Sequence, residues 1–471
     1  MDTPARPSLP RLACRALPPE HFLLSGVRLF DPRRGLDEMG DLLVEDGKIA
    51  ALGTTVKSPA GAEKIVGYKG CLALPGFVDP HAHLRTPGFE YKEDLVSGSA
   101  AAAAGGYVTV VAMANTDPVI DRGPVATWVL DEAAEKAAVR IGQVGAISKG
   151  LLGEELAELI ELAETGVIAF SDDGRPVADA DLLLTAIRYA RVTGLPLMLH
   201  LEDVSMSAEG VMHEGKWSAR LGLRGIPSVC ESGCMARDLE VIRYASAEGA
   251  RTANSRGEPT KKRGKALDGV PLAHFQHLSA AESVDLLRRA KMEGLAVTGE
   301  ATPEHLLLTD ERLSGLDQNL KVNPPIRSEE DRRVLVKALA EGIIDCVATD
   351  HAPHAGHEKE LPIEDALFGS TGLETAFAAL HTGLVVKGEL ALERLVEAMS
   401  STPCRVLGID EPRLEVGAPA DFCLVDLQET WEVTGEESVG KSRNCAFLGE
   451  KLTGRVQMTV VDGARRFARP R

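Results

Sequence analysis

The chain has 471 residues, 44% of them hydrophobic and 26% charged, a balance that supports a sizeable buried core and excludes a disordered chain or a membrane bundle. Its formal net charge of -18, from 70 acidic against 52 basic residues, makes the average surface repel phosphate backbones and anionic lipid, so neither nucleic acid nor a membrane is an expected partner. The eight cysteines are scattered and only Cys230 and Cys234 lie close together, which argues against a disulfide framework or a Cys-rich zinc site; these two read as ordinary helix residues.

Residues 1–20 are proline-rich without a long apolar stretch, and read as a flexible tail of a cytoplasmic protein rather than a signal peptide or membrane span. From His21 onward apolar and polar residues alternate in short runs, with Asp46-Gly47 placed as a two-residue hairpin turn, so 21–72 is expected to form part of a small β-domain. After Leu72 the pattern becomes β-rich runs followed by helical stretches. The runs are 73–80, 107–113, 139–147, 166–172, 195–202, 271–279, 295–302 and 343–351, and their near-continuous apolar character fits strands covered on both faces. This pattern predicts an α/β fold, a (β/α)8 TIM-type barrel over 73–410. Ser279 and Glu282 match a capping box ahead of SVDLLRRAKMEG. The basic stretch Arg251–Asp268 lacks periodicity and reads as a solvated loop, with an anion-binding or partner-docking insert as the sharper alternative. Short strands return over 411–471, and are expected to complete the N-terminal sheet as a composite β-sandwich domain built from both chain ends.

The first barrel run ends in Asp79-Pro80-His81-Ala82-His83, and residues two apart on an extended chain face the same side, so both imidazoles can point into the barrel mouth. A lone pair of this kind is a weak signal. Asp172 or Asp173, His200, His277 and Asp350 also fall at the ends of separate runs, where barrel enzymes hold their catalytic groups, and that coincidence makes the set a metal site. Imidazoles with carboxylates suit borderline cations such as zinc. One carboxylate can bridge two metals ~3.5–4 Å apart, and a hydroxide shared between them would be the nucleophile. Asp350 is the candidate general acid/base, positioned to accept the proton of that hydroxide and pass it to the departing nitrogen.

Read in order, GFVDPHAHLRTPG (76–88), MANTDP, FSDDG, HLED, GIPSVCES, HLSAAES, EATPEHL, KVNPPIR, ATDHAPH and FGSTGLETA resemble the blocks of the dihydroorotase family, within the amidohydrolase superfamily, over nearly the whole chain. The resemblance implies reversible cyclisation of N-carbamoyl-L-aspartate to dihydroorotate and water, in pyrimidine biosynthesis. It implies two zinc ions, the first held by His81, His83 and Asp350, the second by His200 and His277, with Asp173 bridging; the choice of Asp173 over Asp172 comes from the family pattern. Relatives that bridge their metals with a carboxylated lysine on the fourth strand are a poorer match, because no lysine lies between Lys149 and Lys216. Around the substrate the resemblance places His83, Arg85, Asn115, Asn323, His354 and the backbone near Phe368 and Gly369, with the Arg85 guanidinium suited to an exocyclic carboxylate. Turn chemistry is the plainer reading of Asn115 and Asn323, since each sits by a proline.

Thr86 stands where related sequences often carry glutamate, and the 251–268 insert is longer than the family usually shows. Family members associate with aspartate transcarbamoylase, so that enzyme and a homodimer are the expected partners. Two rival readings are a hydantoinase- or allantoinase-type enzyme, against which Arg85 and Asp173 count, and a non-catalytic scaffold for the transcarbamoylase, which should have lost ligands that are all present here.

Overall fold

The structure is a computed structural model that describes residues 10–255 and 269–470. Eight parallel strands pair in chain order, namely β1 (Phe77–Ala82), β2 (Tyr107–Ala112), β3 (Arg140–Gly145), β4 (Ala169–Phe170), β5 (Leu197–Leu199), β6 (Ala273–Phe275), β7 (Val297–Ala301) and β8 (Cys346–Val347). Every residue of β1 and β2 is buried, as the continuous apolar runs require of strands lying between a filled interior and a ring of helices. Closure comes just past the last strand: Ala82 bridges His351, and the buried Asp79 carboxylate accepts the Thr349 N–H at 3.1 Å and also its hydroxyl. Burial pushes the Asp79 carboxyl up to about 7, so the seam between β1 and β8 is held by a carboxyl that can stay protonated.

Both chain ends meet in one further eight-stranded sheet, in which Leu72–Pro75 pairs antiparallel with the strand Phe422–Glu432. Its period-2 alternation serves two cores. Ala73, Phe422 and Leu424 join Phe22, Leu24 and Val27 in a core of the sheet's own, whereas Leu72, Leu74, Cys423 and Val425 point the other way into the barrel's. The hairpin at Asp46-Gly47 has φ of 51° and 76°, the left-handed pair that a tight two-residue turn demands.

Four details depart from the sequence expectations. The run 73–80 is two strands, and the chain passes from one sheet to the other at Gly76, where a Cβ would stand 2.2 Å from Val108 Cγ1. Pro10–Glu20, expected within a flexible tail, lies along the barrel: Ala13 exchanges backbone hydrogen bonds with Ile141, and Arg11 N–H reaches Gly166 O at 2.8 Å. Ser279 caps no helix. The helix Ala281–Met292 starts from Ala280 without a side-chain cap, because the Ser279 N–H and hydroxyl both turn to buried Glu231 and its oxygen accepts from Arg327 at 3.0 Å. In place of a serine cap, carboxylates from other segments take the first donors of this buried helix end, Glu231 accepting the Ala280 N–H at 3.1 Å and Asp331 the Ala281 N–H at 2.9 Å. Finally, the basic insert begins inside the helix Val229–Ser255, which also holds Cys230 and Cys234; the rest of the insert, 256–268, lies outside the described residues.

Candidate metal centre and active site

The ladder of β4 stops at Phe170, of β5 at Leu199, of β6 at Phe275 and of β8 at Val347, so Asp173, His200, His277 and Asp350 all stand on the rim beyond the strands' C-terminal ends. There they meet His81 and His83. Asp173 lies at the centre: its Oδ2 is 3.4 Å from His81 Nε2 and 3.3 Å from His83 Nε2, while its Oδ1 is 3.5 Å from His277 Nε2 and 3.7 Å from His200 Nδ1. Each oxygen therefore faces its own pair of imidazoles. Asp350 Oδ1 closes the first group at 3.0 Å from His83 and 3.4 Å from His81. Asp172, next to Asp173 in the chain, points away, accepting from the Ile147 and Ser148 N–H groups at 2.8 and 2.9 Å and from the Ser148 hydroxyl. Lys149 is remote from the cluster's chemistry, with its ammonium paired to Glu155 at the surface.

A cation fits this arrangement. His81 Nε2 and Asp173 Oδ1 are buried without a hydrogen-bond partner, a cost in a site this dry unless something satisfies them. Burial opposes ionisation of Asp173, yet the imidazoles of His81, His277 and His83 gathered around it hold its carboxyl well below the usual range. The site is thus built to keep negative charge facing imidazole lone pairs. That is the donor set of a borderline divalent metal, and ligand atoms of His81, Asp173 and His277, and again of His81, His83 and Asp350, lie within 4.8 Å of one another.

A second layer orients these rings, and the sequence reading assigned it no role. His81 Nδ1 is 2.8 Å from Glu300 Oε1, and the other Glu300 oxygen is 2.9 Å from His274 Nε2. Burial alone would push the Glu300 carboxyl up, but the two histidines outweigh it and hold it at about 2. A carboxylate on one ring nitrogen fixes the tautomer that leaves the other free for a metal. Glu202 does the same for His200 at 3.1 Å, and is held at about 2 against burial by His200, Ser207 and Asn323. Both have a signal in the chain: Glu202 is two residues beyond His200, and Glu300 sits inside β7 facing the interior. The backbone is strained at the same place. Arg85, His277 and Asp350 have φ of 59°, 34° and 43°, left-handed values costing a non-glycine residue about 1–3 kcal/mol that surrounding structure must offset.

Next to the cluster is a cavity of about 240 Å³ lined by His83, Arg85, Asn115, Asp173, His200, His277, Asn323, Asp350, His354, Phe368 and Gly369. That volume suits a compact metabolite rather than a polymer. Several lining groups already have partners. Asn115 Oδ1 is 2.9 Å from His83 Nδ1 and its Nδ2 donates to Asp173 O at 3.3 Å; Asn323 donates to Glu202 at 3.1 Å; His354 Nε2 donates to Phe368 O at 2.8 Å. Arg85 donates through Nε to Pro353 O at 3.2 Å, and burial pulls its guanidinium down to about 10, still charged at neutral pH.

The amidohydrolase family profile matches residues 72–465. A dihydroorotase of Citrifermentans bemidjiense is 40% identical over 443 residues, covering 94% of this chain and 98% of its own length. One from Anaeromyxobacter dehalogenans is 43% identical over 94% of this chain and 96% of its own. The chain belongs to the dihydroorotase family of amidohydrolases. Solved structures that resemble this dihydroorotase-family chain include the L-hydantoinase (dihydropyrimidinase) of Arthrobacter aurescens, at 24% identity, TM-score 0.79 and 94% and 95% coverage. The dihydropyrimidinase of Brevibacillus agri follows at 22% identity, TM-score 0.77 and 94% of each chain. At those identities the likeness shows the barrel and its companion sheet alone. Among the described residues no helix is long and apolar enough to cross a membrane.

Proposed function

We infer that this family member interconverts N-carbamoyl-L-aspartate and dihydroorotate plus water, using two zinc ions. The observation that carries the metal count is the division of labour on Asp173, whose two oxygens face different imidazole pairs. His81, His83 and Asp350 would hold one ion, His200 and His277 the other, and Asp173 would lie between. Bound there, divalent cations lower the pKa of water and polarise a carbonyl.

The chain's own groups do the rest. Arg85 holds the exocyclic carboxylate of the substrate, and the wall at His354, Phe368 and Gly369 confines the ring. In the opening direction water adds to the ring carbonyl, the C–N bond breaks, and Asp350 carries the proton released by water to the departing nitrogen. Closure is the reverse: the ureido nitrogen loses its proton to Asp350 as it bonds to the carbon of the protonated carboxyl, and Asp350 returns that proton to the departing hydroxyl, which leaves as water. A homodimer, a complex with aspartate transcarbamoylase and a cytoplasmic location belong to the same reading and rest on the family resemblance.

The full chain, with its metal content measured, assayed side by side on dihydroorotate, hydantoin and allantoin should favour dihydroorotate in kcat/KM by at least ~10²-fold, because a site that pairs a charged substrate group discriminates against ligands lacking it. Equal or better turnover of hydantoin would overturn the assignment. Arg85→Lys should raise KM roughly 10- to 100-fold at unchanged metal content, since a point charge cannot reproduce the planar fork. An unaltered KM would remove Arg85 from the site.

A further inference from the structure

One wall of the cavity is made by two short segments beyond β8, Ala352–His354 and Phe368–Gly369. They touch closely. Gly369 has φ of 136°, and a Cβ there would meet Ala352 Cβ at 2.8 Å and His354 Nε2 at 3.0 Å. They are joined directly only at one isolated bridge, where the Ala352 N–H donates to Ser370 O at 2.8 Å, and by His354 Nε2, which donates to Phe368 O at 2.8 Å. The tie that spans both segments at once comes from far along the chain, from Asn444, in the connection between the long C-terminal strands Phe422–Glu432 and Lys451–Val461. Its side chain is buried, with Nδ2 donating to Ala352 O at 3.0 Å and to Gly369 O at 3.1 Å while Oδ1 accepts the His354 N–H at 3.0 Å. All three bonds land on backbone of the cavity wall. From the other side buried Lys359 donates to Leu367 O at 2.9 Å and Gly369 O at 3.0 Å.

We propose that Asn444 is a positioning residue for substrate: it sets the distance between the two wall segments against which the ring lies. The inference rests on the substrate reading above. Asp350 is only two residues from Ala352, but its placement has separate supports, because Asp79 grips Thr349 and the His83 N–H holds His351 O at 2.8 Å. Disturbing Asn444 therefore moves the wall and not the base or the metal ligands. The effect belongs in KM.

The test uses the metal-loaded full chain and Asn444→Asp, which keeps the shape and the acceptor for His354 N–H but sets a carboxylate against two carbonyl oxygens. KM for dihydroorotate should rise at least about tenfold with kcat within about threefold, since a donor turned into an acceptor leaves two buried carbonyls opposed. Metal content and the thermal midpoint are measured on the same sample. A metal-replete, folded variant with parental KM overturns the proposal, as does a joint loss of kcat, metal and KM, which would mark a general packing role. Should the aspartate variant not fold, Asn444→Ser and Lys359→Met are held to the same criterion, and failure of all three to fold also overturns it. Absence of dihydroorotase activity in the parent would instead sink the substrate reading, so the two failures are distinct.

Discussion

Asp350→Asn is expected to lower kcat by about 10²–10⁴-fold, the range that a positioned general acid/base contributes. Asparagine keeps the length of the side chain and an oxygen that can sit 3.0 Å from His83 Nε2, but it cannot take up or release a proton at neutral pH. In the parent, burial works against the charge on Asp350, while His81 and His83 more than compensate and hold its carboxyl below the usual range, so the group is a base at neutral pH. Its side chain is 13% exposed against 4% for Asp173, which makes it the more accessible of the two carboxylates that line the cavity. The decisive measurement is single-turnover ring opening alongside metal content. Turnover within tenfold of the parent would show that the proton travels by another route; a loss matched by loss of metal would assign Asp350 to ligation alone.

The imidazoles of this site are legible in the sequence because local geometry suffices for them. Two histidines two residues apart at the end of a buried run must share a face, and the remaining ligands each follow an apolar run that the barrel order brings to one rim. Asp172 and Asp173 are different. Both follow Phe170 in a strand whose ladder is only two residues long, so no periodicity says which one turns inward. The choice is made by contacts with Ile147 and Ser148, residues after β3 that claim Asp172 for themselves.

Where a role depends on partners distant in sequence, the chain alone is silent. Glu231 draws Ser279 away from a capping motif that is well formed on paper, although the two are 48 residues apart. Asn444 reaches His354 across 90 residues. The wall residues Phe368 and Gly369 are recognisable by family pattern, but nothing near them announces that a segment of the companion domain holds them. Glu300 is an intermediate case, since a carboxylate inside a barrel strand is expensive unless paired, and that expense is itself a signal. The break at Gly76 is legible only in retrospect, as a glycine in the middle of an apolar run where the Val108 side chain leaves no room for a Cβ.

Asp173→Asn and Asp172→Asn, made as a pair, should part company more than any other neighbours in the chain. At Asp173 the substitution removes a charge that two imidazole pairs face and replaces one oxygen by an NH2 group, which can only donate toward nitrogens that must offer lone pairs. Metal affinity is expected to fall by more than the ~10- to 100-fold typical of losing a supporting partner. Activity should fall by roughly 10³-fold or more, since several kcal/mol of charge stabilisation disappear at about 1.4 kcal/mol per tenfold. At Asp172 the amide oxygen can still accept from the Ile147 and Ser148 N–H groups, and only the bond from the Ser148 hydroxyl must reorganise. The expected cost there is stability, about 1–3 kcal/mol, with metal content and KM at parental values. Metal analysis after dialysis against a weak chelator, with denaturant unfolding of the same samples, separates the two. If Asp172→Asn is the variant that sheds metal while Asp173→Asn keeps it, the bridging role has been given to the wrong carboxylate.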